Sequence, residues 1–333
     1  MAGWSVRDIP DQSGRTAVVT GANSGLGYVT ARELARKGAR VVLGCRSEAR
    51  GRDAVARLRG EVPGVEVELG RLDLGDLGSV REFAESLPYE RLDLLVNNAG
   101  VMAMPYGTTA DGFETQFGVN HLGHFALTGL LLPALLAAEG RSAGVPISAQ
   151  SGAQSGAQTG AQAGVRVVTV SSMAHLFGNI DANDLNSERR YRRWTAYGRS
   201  KTANLLFTHE LARRLAAAGS GVVAAAAHPG YAATNLQTAG PRAEGRRVAE
   251  RLMALGNRAI AQSAEAGALP TLYAATAPGV RPDSFTGPSL AMWRGAPAPS
   301  RRAPWTLDDR AGERLWAASE ELTGVSYAAV LKA

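Results

Sequence analysis

Thr20-Gly21-Ala22-Asn23-Ser24-Gly25-Leu26-Gly27 is the stretch whose reading decides the fold. Its three glycines sit where an apolar strand, Ala17-Val18-Val19, gives way to an Ala/Leu-rich helix. Gly21 permits a tight turn, Gly25 lets backbone amides approach a pyrophosphate, Gly27 lets the helix pack closely on the sheet, and the helix N-terminus adds partial positive charge. Together with Asn23, Ser24 and Leu26 they form a cradle for a dinucleotide phosphate. The spacing G-x-x-x-G-x-G differs from the commoner G-x-G-x-x-G, and a turn that merely joins strand to helix is the plain alternative.

Working outward, the spacing predicts a helix over 25–37, a stop at Gly38 and a second strand over 39–43. Helices over 48–59 and 79–87 and strands over 65–69 and 92–96 continue the alternation. Strands separated by helix-length segments imply an α/β chain: a single-domain Rossmann fold, with a doubly wound, mostly parallel sheet and helices on both faces. The whole of residues 1–333 is read as one dinucleotide-binding and catalytic domain.

The end of the second strand bears on the cofactor. A carboxylate there would bind the adenosine ribose hydroxyls of NAD and repel the extra phosphate of NADP. The strand instead ends Gly44-Cys45-Arg46-Ser47. Arg46 offers a guanidinium to a 2′-phosphate, so NADP is favoured over NAD, the alternative being a solvated charge at a helix entry. Asp73, with Leu74 beside it, follows the third strand, where its oxygens meet an adenine amino group or else cap a turn.

Composition bounds the rest. A chain of 333 residues with 45% hydrophobic content suffices for one sizeable core. No segment approaches about 18 uninterrupted apolar residues and the N-terminus has no secretory apolar core, so a soluble, cytoplasmic protein without a membrane anchor is expected. The single cysteine, Cys45, excludes an internal disulfide framework and a cysteine-based metal site, and no metal is expected. The net charge of +6 is scattered, and its densest patches, Arg189-Arg190 with Arg192-Arg193 and Arg301-Arg302, lack interleaved aromatics, so no nucleic-acid partner is expected. Residues 141–164 carry a Gly/Ala/Gln-rich repeat with no apolar face to bury and are read as a flexible inserted loop.

Farther along, Arg166-Val167-Val168-Thr169-Val170-Ser171-Ser172 reads as a buried strand ending in two hydroxyls, at the sheet edge where such folds place ligands. Tyr197 and Lys201 follow, four apart at the start of a long helix, hence on one helical face. A free phenol titrates near pH 10, and a nearby ammonium lowers that value toward a useful general acid-base.

These pieces, in this order, resemble the short-chain dehydrogenase/reductase family. They are T-G-x-x-x-G-x-G at Thr20 to Gly27, Asn97-Asn98-Ala99-Gly100, Asn120 in Val119-Asn120-His121-Leu122-Gly123, Ser172, the Tyr197/Lys201 pair, and His228-Pro229-Gly230 with Thr234. The wording around Asn120, Ser200-Lys201-Thr202-Ala203-Asn204 and the tail from Leu315-Trp316 to Gly324 resembles the retinol dehydrogenase and protochlorophyllide reductase-like branch.

The resemblance implies an oxidoreductase that interconverts an alcohol and a carbonyl by hydride transfer. Tyr197 would carry the proton, Lys201 would lower its pKa and bind the nicotinamide ribose, Ser172 would hold the reacting oxygen, and Asn120 would hold a water for proton relay. Asn98, Ala99 and Gly100 would wall the adenine-ribose side, and Pro229, Gly230 and Thr234 would hold the carboxamide and diphosphate. His175 reads as a loop or pocket-wall residue. Residues 235–263 are read as a substrate lid whose apolar positions suggest a lipophilic substrate or else simply pack on the core. The rival reading is a non-catalytic NADP-binding sensor or scaffold, which has no need of Asn120, Ser172, Tyr197 and Lys201 together. Oligomeric state, a homo-oligomer included, stays open at this stage.

Overall fold

The computed structural model describes residues 3–142, 164–231 and 262–331. The inserted repeat, Thr234 and nearly all of the expected lid lie outside the described residues.

Eight strands form one sheet: β1 (Thr16–Thr20), β2 (Arg40–Cys45), β3 (Val67–Arg71), β4 (Leu94–Asn97), β5 (Arg166–Val170), β6 (Val223–Ala227), β7 (Phe285–Leu290) and β8 (Arg294–Pro299), in the order β3-β2-β1-β4-β5-β6-β7-β8. All neighbours pair in parallel except the β7–β8 hairpin. The order reverses between β1 and β4, which opens a crevice at their carboxyl ends.

Alternate strand residues face opposite layers. Val18, Val42, Leu95 and Val167 join the core under α3 (Leu77–Ser86), α4 (Gly123–Ser142), α5 (Arg193–Ala217) and α7 (Asp309–Thr323). Val19, Leu43, Val96 and Val168 join the core under α1 (Gly25–Arg36), α2 (Glu48–Glu61) and α6 (Ala264–Thr276). Both faces of the central strands are therefore apolar, and β1, β2 and β5 are buried over almost their whole length.

Two details depart from expectation. α5 starts at Arg193 rather than at Tyr197, so the tyrosine sits in the helix's second turn, where the backbone bonds are already closed. The stretch Thr115–Glu139 is long and apolar enough by composition to cross a membrane, although no uninterrupted apolar run marks it; 72% of its apolar window is buried inside the fold. Within this stretch, after a first helical turn at Thr115–Phe117, a π turn, Gly118–Leu122, carries Asn120 and leads directly into α4.

Candidate active site

The glycine turn is built so that no side chain can enter it. Gly21 and Gly25 have left-handed φ of 65° and 56°. A Cβ at Gly27 would stand 2.5 Å from Asn98 Nδ2 and 2.6 Å from the Gly21 carbonyl oxygen. Ser24 caps α1 in extended conformation without a side-chain bond to the helix, which leaves the first amides of α1 turned toward the crevice.

The far wall is clamped to this turn by Thr20. Its Oγ1 accepts from the backbone amides of Asn98 and Ala99, both at 2.9 Å, while Asn98 Nδ2 donates to the Thr20 carbonyl at 2.8 Å. His124 Nε2 also lies 2.9 Å from Thr20 Oγ1, and its Nδ1 lies 3.0 Å from the Asn120 carbonyl. Nδ1 faces a carbonyl and must carry the proton, so Nε2 accepts from the threonine; burial, holding the pKa down to about 4, keeps this ring neutral. His124 did not stand out as a site residue in the sequence, because its role exists only between α4 and the end of β1.

A cavity of about 570 Å³ runs along this edge, lined by Gly21, Asn23, Ser24, Gly25, Leu26 and Gly27, then by Arg46, Asp73 and Leu74, and by Asn98, Ala99 and Gly100. Arg50, in the first turn of α2, shares that rim and was not anticipated. The neighbouring carboxylate of Glu48 is held by Arg52 at 2.9 Å instead. Asp73 lines the cavity, but its Oδ1 accepts from Gly75 N at 3.0 Å, so it also caps a turn. The glycine cradle and the helix amides fit a dinucleotide, with the two arginines at the cavity rim.

At the other end of the cavity lie Ser172, Tyr197, Lys201, Pro229 and Gly230. Ser171 turns away, donating to the Lys201 carbonyl at 2.9 Å. Ser172 interacts with the Tyr197 phenol. Lys201 Nζ donates to the Val170 carbonyl at 3.1 Å and stands 5.7 Å from the centre of the Tyr197 ring. The expectation that the ammonium draws the phenol down is not met here: burial dominates, pushing Tyr197 up to about 12 and Lys201 down to about 8. Desolvation penalises both charged forms.

Asn120 is fully engaged. Its Oδ1 accepts from Val101 N at 2.7 Å, and its Nδ2 donates to the Val101 carbonyl and to Ser200 Oγ, both at 2.9 Å. The side chain thus joins the wall after β4 to α5, one residue from Lys201.

The mouth is aromatic. Phe177 and Trp194 are 80% and 55% exposed, and the Trp194 ring meets Tyr197 edge-on at 6.3 Å. Tyr231 stacks on Trp293 at 4.6 Å beside Gly230.

With this geometry in view, the comparisons with known proteins agree. The short chain dehydrogenase family pattern matches residues 15–163. The chain is 40% identical to retinol dehydrogenase 12 of Mus musculus, covering 94% of this chain and 88% of that one. It is 41% identical to retinol dehydrogenase 13 of Homo sapiens, covering 95% and 87%. A crystal structure of an uncharacterized protein from Mycobacterium Paratuberculosis superposes with a TM-score of 0.75 at 43% identity, covering 98% of this chain and 99% of that one.

Proposed function

The chain belongs to the short-chain dehydrogenase/reductase family, in its retinol dehydrogenase-like branch, and is thus an oxidoreductase of alcohols and carbonyls; from that premise we propose an NADP-dependent enzyme with Tyr197 as its general acid-base. The observation that carries the reading is the convergence of Ser172, Tyr197 and Lys201 at one end of a cavity whose other end is the glycine cradle. The nicotinamide, when bound, supplies or receives the hydride.

The protein's own residues orient and move a proton. Ser172 and Tyr197 donate to a carbonyl oxygen from one side of the mouth, which polarises the carbon that hydride approaches. With its pKa pushed up to about 12, the phenol holds its proton until negative charge develops on the substrate oxygen. Lys201, with its pKa near 8, is predominantly charged at neutral pH and offsets the phenolate left behind. Arg46 and Arg50 favour NADP by facing the adenosine end of the cavity. Phe177, Trp194, Met102 and Met173 give the mouth an apolar lining, which favours a lipophilic alcohol or carbonyl.

The test is a screen of apolar and polar aldehydes and ketones, followed by loss of NADPH absorbance, with Tyr197→Phe alongside. The variant is expected to bind NADPH as the native protein does and to lose on the order of 10²-fold or more in turnover. Native-level turnover in Tyr197→Phe overturns the mechanism. A preference for small polar carbonyls overturns the substrate class.

A further inference from the structure

On the side of Ser172 away from the cofactor cradle lies His175, with no exposed surface. Its Nδ1 stands 2.6 Å from the Ser172 carbonyl oxygen, and its Nε2 accepts from the Ala303 backbone amide at 3.2 Å. A nitrogen that faces a carbonyl carries the proton, and one that faces an N–H must be bare. The two partners therefore select one tautomer of the neutral ring. The Thr202 hydroxyl, on the residue after Lys201 on α5, donates to the Gly178 carbonyl at 2.5 Å and lies 3.2 Å from the His175 carbonyl, and the ring meets Phe285 of β7 edge-on at 5.5 Å. The short turn Met173–Phe177 is thus held by α5, by β7 and by the segment that enters Pro304–Leu307. The charged and titratable groups that act on the ring are Arg302, beside Ala303, and His228 from the end of β6. Burial and the Arg302 charge hold His175 below the usual imidazole range, in keeping with the neutral tautomer that the two bonds require.

We propose that His175 is a positioning residue: through the Ser172 carbonyl it fixes the peptide that carries the Ser172 hydroxyl, and so sets that hydroxyl against the Tyr197 phenol. The side chain reaches no reacting atom. It transmits the position of the C-terminal segment at Ala303 to the mouth of the cavity, a link of 128 residues in sequence. The inference rests on the roles given to Ser172 and Tyr197 above.

The experiment uses the full chain and the aldehyde turned over fastest in the screen. His175→Phe keeps a ring against Phe285 and removes both bonds. Its kcat is expected to fall about tenfold, with KM and the NADPH dissociation constant within about twofold of native. His175→Asn, whose amide nitrogen replaces Nδ1, is expected to recover most of that loss. In a Ser172→Ala background the His175→Phe change is expected to cost nothing further, because the group it positions is gone. Native kcat in His175→Phe, or losses that add in full in the double variant, overturn the positioning role. Native kcat in Ser172→Ala alone overturns the role of Ser172, and the inference falls with it. Should His175→Phe fail to bind NADPH or lose its thermal transition, His175→Gln replaces it, since its longer amide reaches toward Ala303 rather than Ser172. The same tenfold loss is then expected, and native kcat in that variant overturns the inference.

Discussion

At Arg46 and Arg50 the choice of cofactor comes down to two exposed guanidinium groups on the rim of the cavity, one just before α2 and one in its first turn. Each is expected to contribute one charge-assisted contact to a 2′-phosphate, discounted because both sit in solvent. Arg46→Ala and Arg50→Ala are each predicted to lower the ratio of NADPH to NADH affinity about tenfold, or ~1.4 kcal/mol, with a smaller effect at high salt. Fluorescence titration of both cofactors measures it, and an unchanged ratio in both variants removes the arginines from the site. Gly27 makes the complementary point about space. In Gly27→Ala the new methyl meets the backbone of Gly21 and the amide that clamps Asn98 to Thr20, and neither can yield without opening the turn. That variant is predicted to lose cofactor binding while its far-ultraviolet spectrum stays native. Arg46 was legible in the sequence because it directly follows a strand. Arg50, His124 and His175 were not, since each acquires its meaning from a partner on another element.

Among the elements, α5, β7 and α7 meet at His209. Its Nδ1 lies 2.7 Å from Asp283, just before β7, and its Nε2 lies 2.8 Å from Asp309, the first residue of α7. Only the imidazolium can donate from both nitrogens, so the clamp is complete only in the charged form. The two bonds hold His209 above the usual imidazole range and help hold both aspartates below the usual carboxylate range, Asp283 also being held by Arg302 at 2.6 Å. The raised histidine contributes stability that is fully present below pH ~6.5 and lost as pH rises through its folded value. The lowered aspartates contribute above pH ~4 and lose that contribution in acid. The melting-temperature difference between native protein and His209→Leu is therefore predicted to be largest near pH 5 to 6 and to shrink at alkaline pH, with the solvent-exposed Asp309 arm adding little. A difference that is flat from pH 5 to 9 would refute the clamp. These last elements were also the hardest to see in the sequence. β1, β2, β4 and β5 announce themselves through valine and leucine runs between helical stretches. β6 is mostly alanine, which has no strand preference, and β7 and β8, Phe285–Leu290 and Arg294–Pro299, contain glycine and proline that ordinarily break strands. They form because β6 has a free edge over a finished core, and β8 tolerates its prolines as the outermost strand.

For the molecule as a whole, the C-terminal helix decides what happens to the apolar face of α4 and α5. Trp316 lies 1% exposed, stacked on Phe207 at 5.9 Å and edge-on to Phe125 at 5.1 Å, with the Arg214 guanidinium 4.5 Å from its ring. α7 stops at Gly324 in left-handed conformation, and the chain turns back so that the Tyr327 hydroxyl donates to the Phe125 carbonyl at 2.7 Å. Gly129 leaves room for this return, since a Cβ there would stand 2.6 Å from Val325. The cover also reaches the active site: His121, beside Asn120 in the π turn, bonds Ser319 of α7 at 2.9 Å. Removing residues 309–333 is thus predicted to expose Phe125 and Phe207 together and to loosen the turn that holds Asn120 against Val101. Trp316→Ala, which hollows the same contact without deleting it, is expected to cost ~3–5 kcal/mol of stability. Chemical denaturation measures that loss, and NADPH titration on the folded fraction separates stability from function. If the tail serves the core first and the site second, Trp316→Ala lowers the denaturation midpoint sharply while the folded protein keeps near-native NADPH affinity, whereas the truncated chain binds an apolar dye and aggregates. A truncated chain that stays monomeric and melts as the native protein does would show that the α4/α5 face needs no cover.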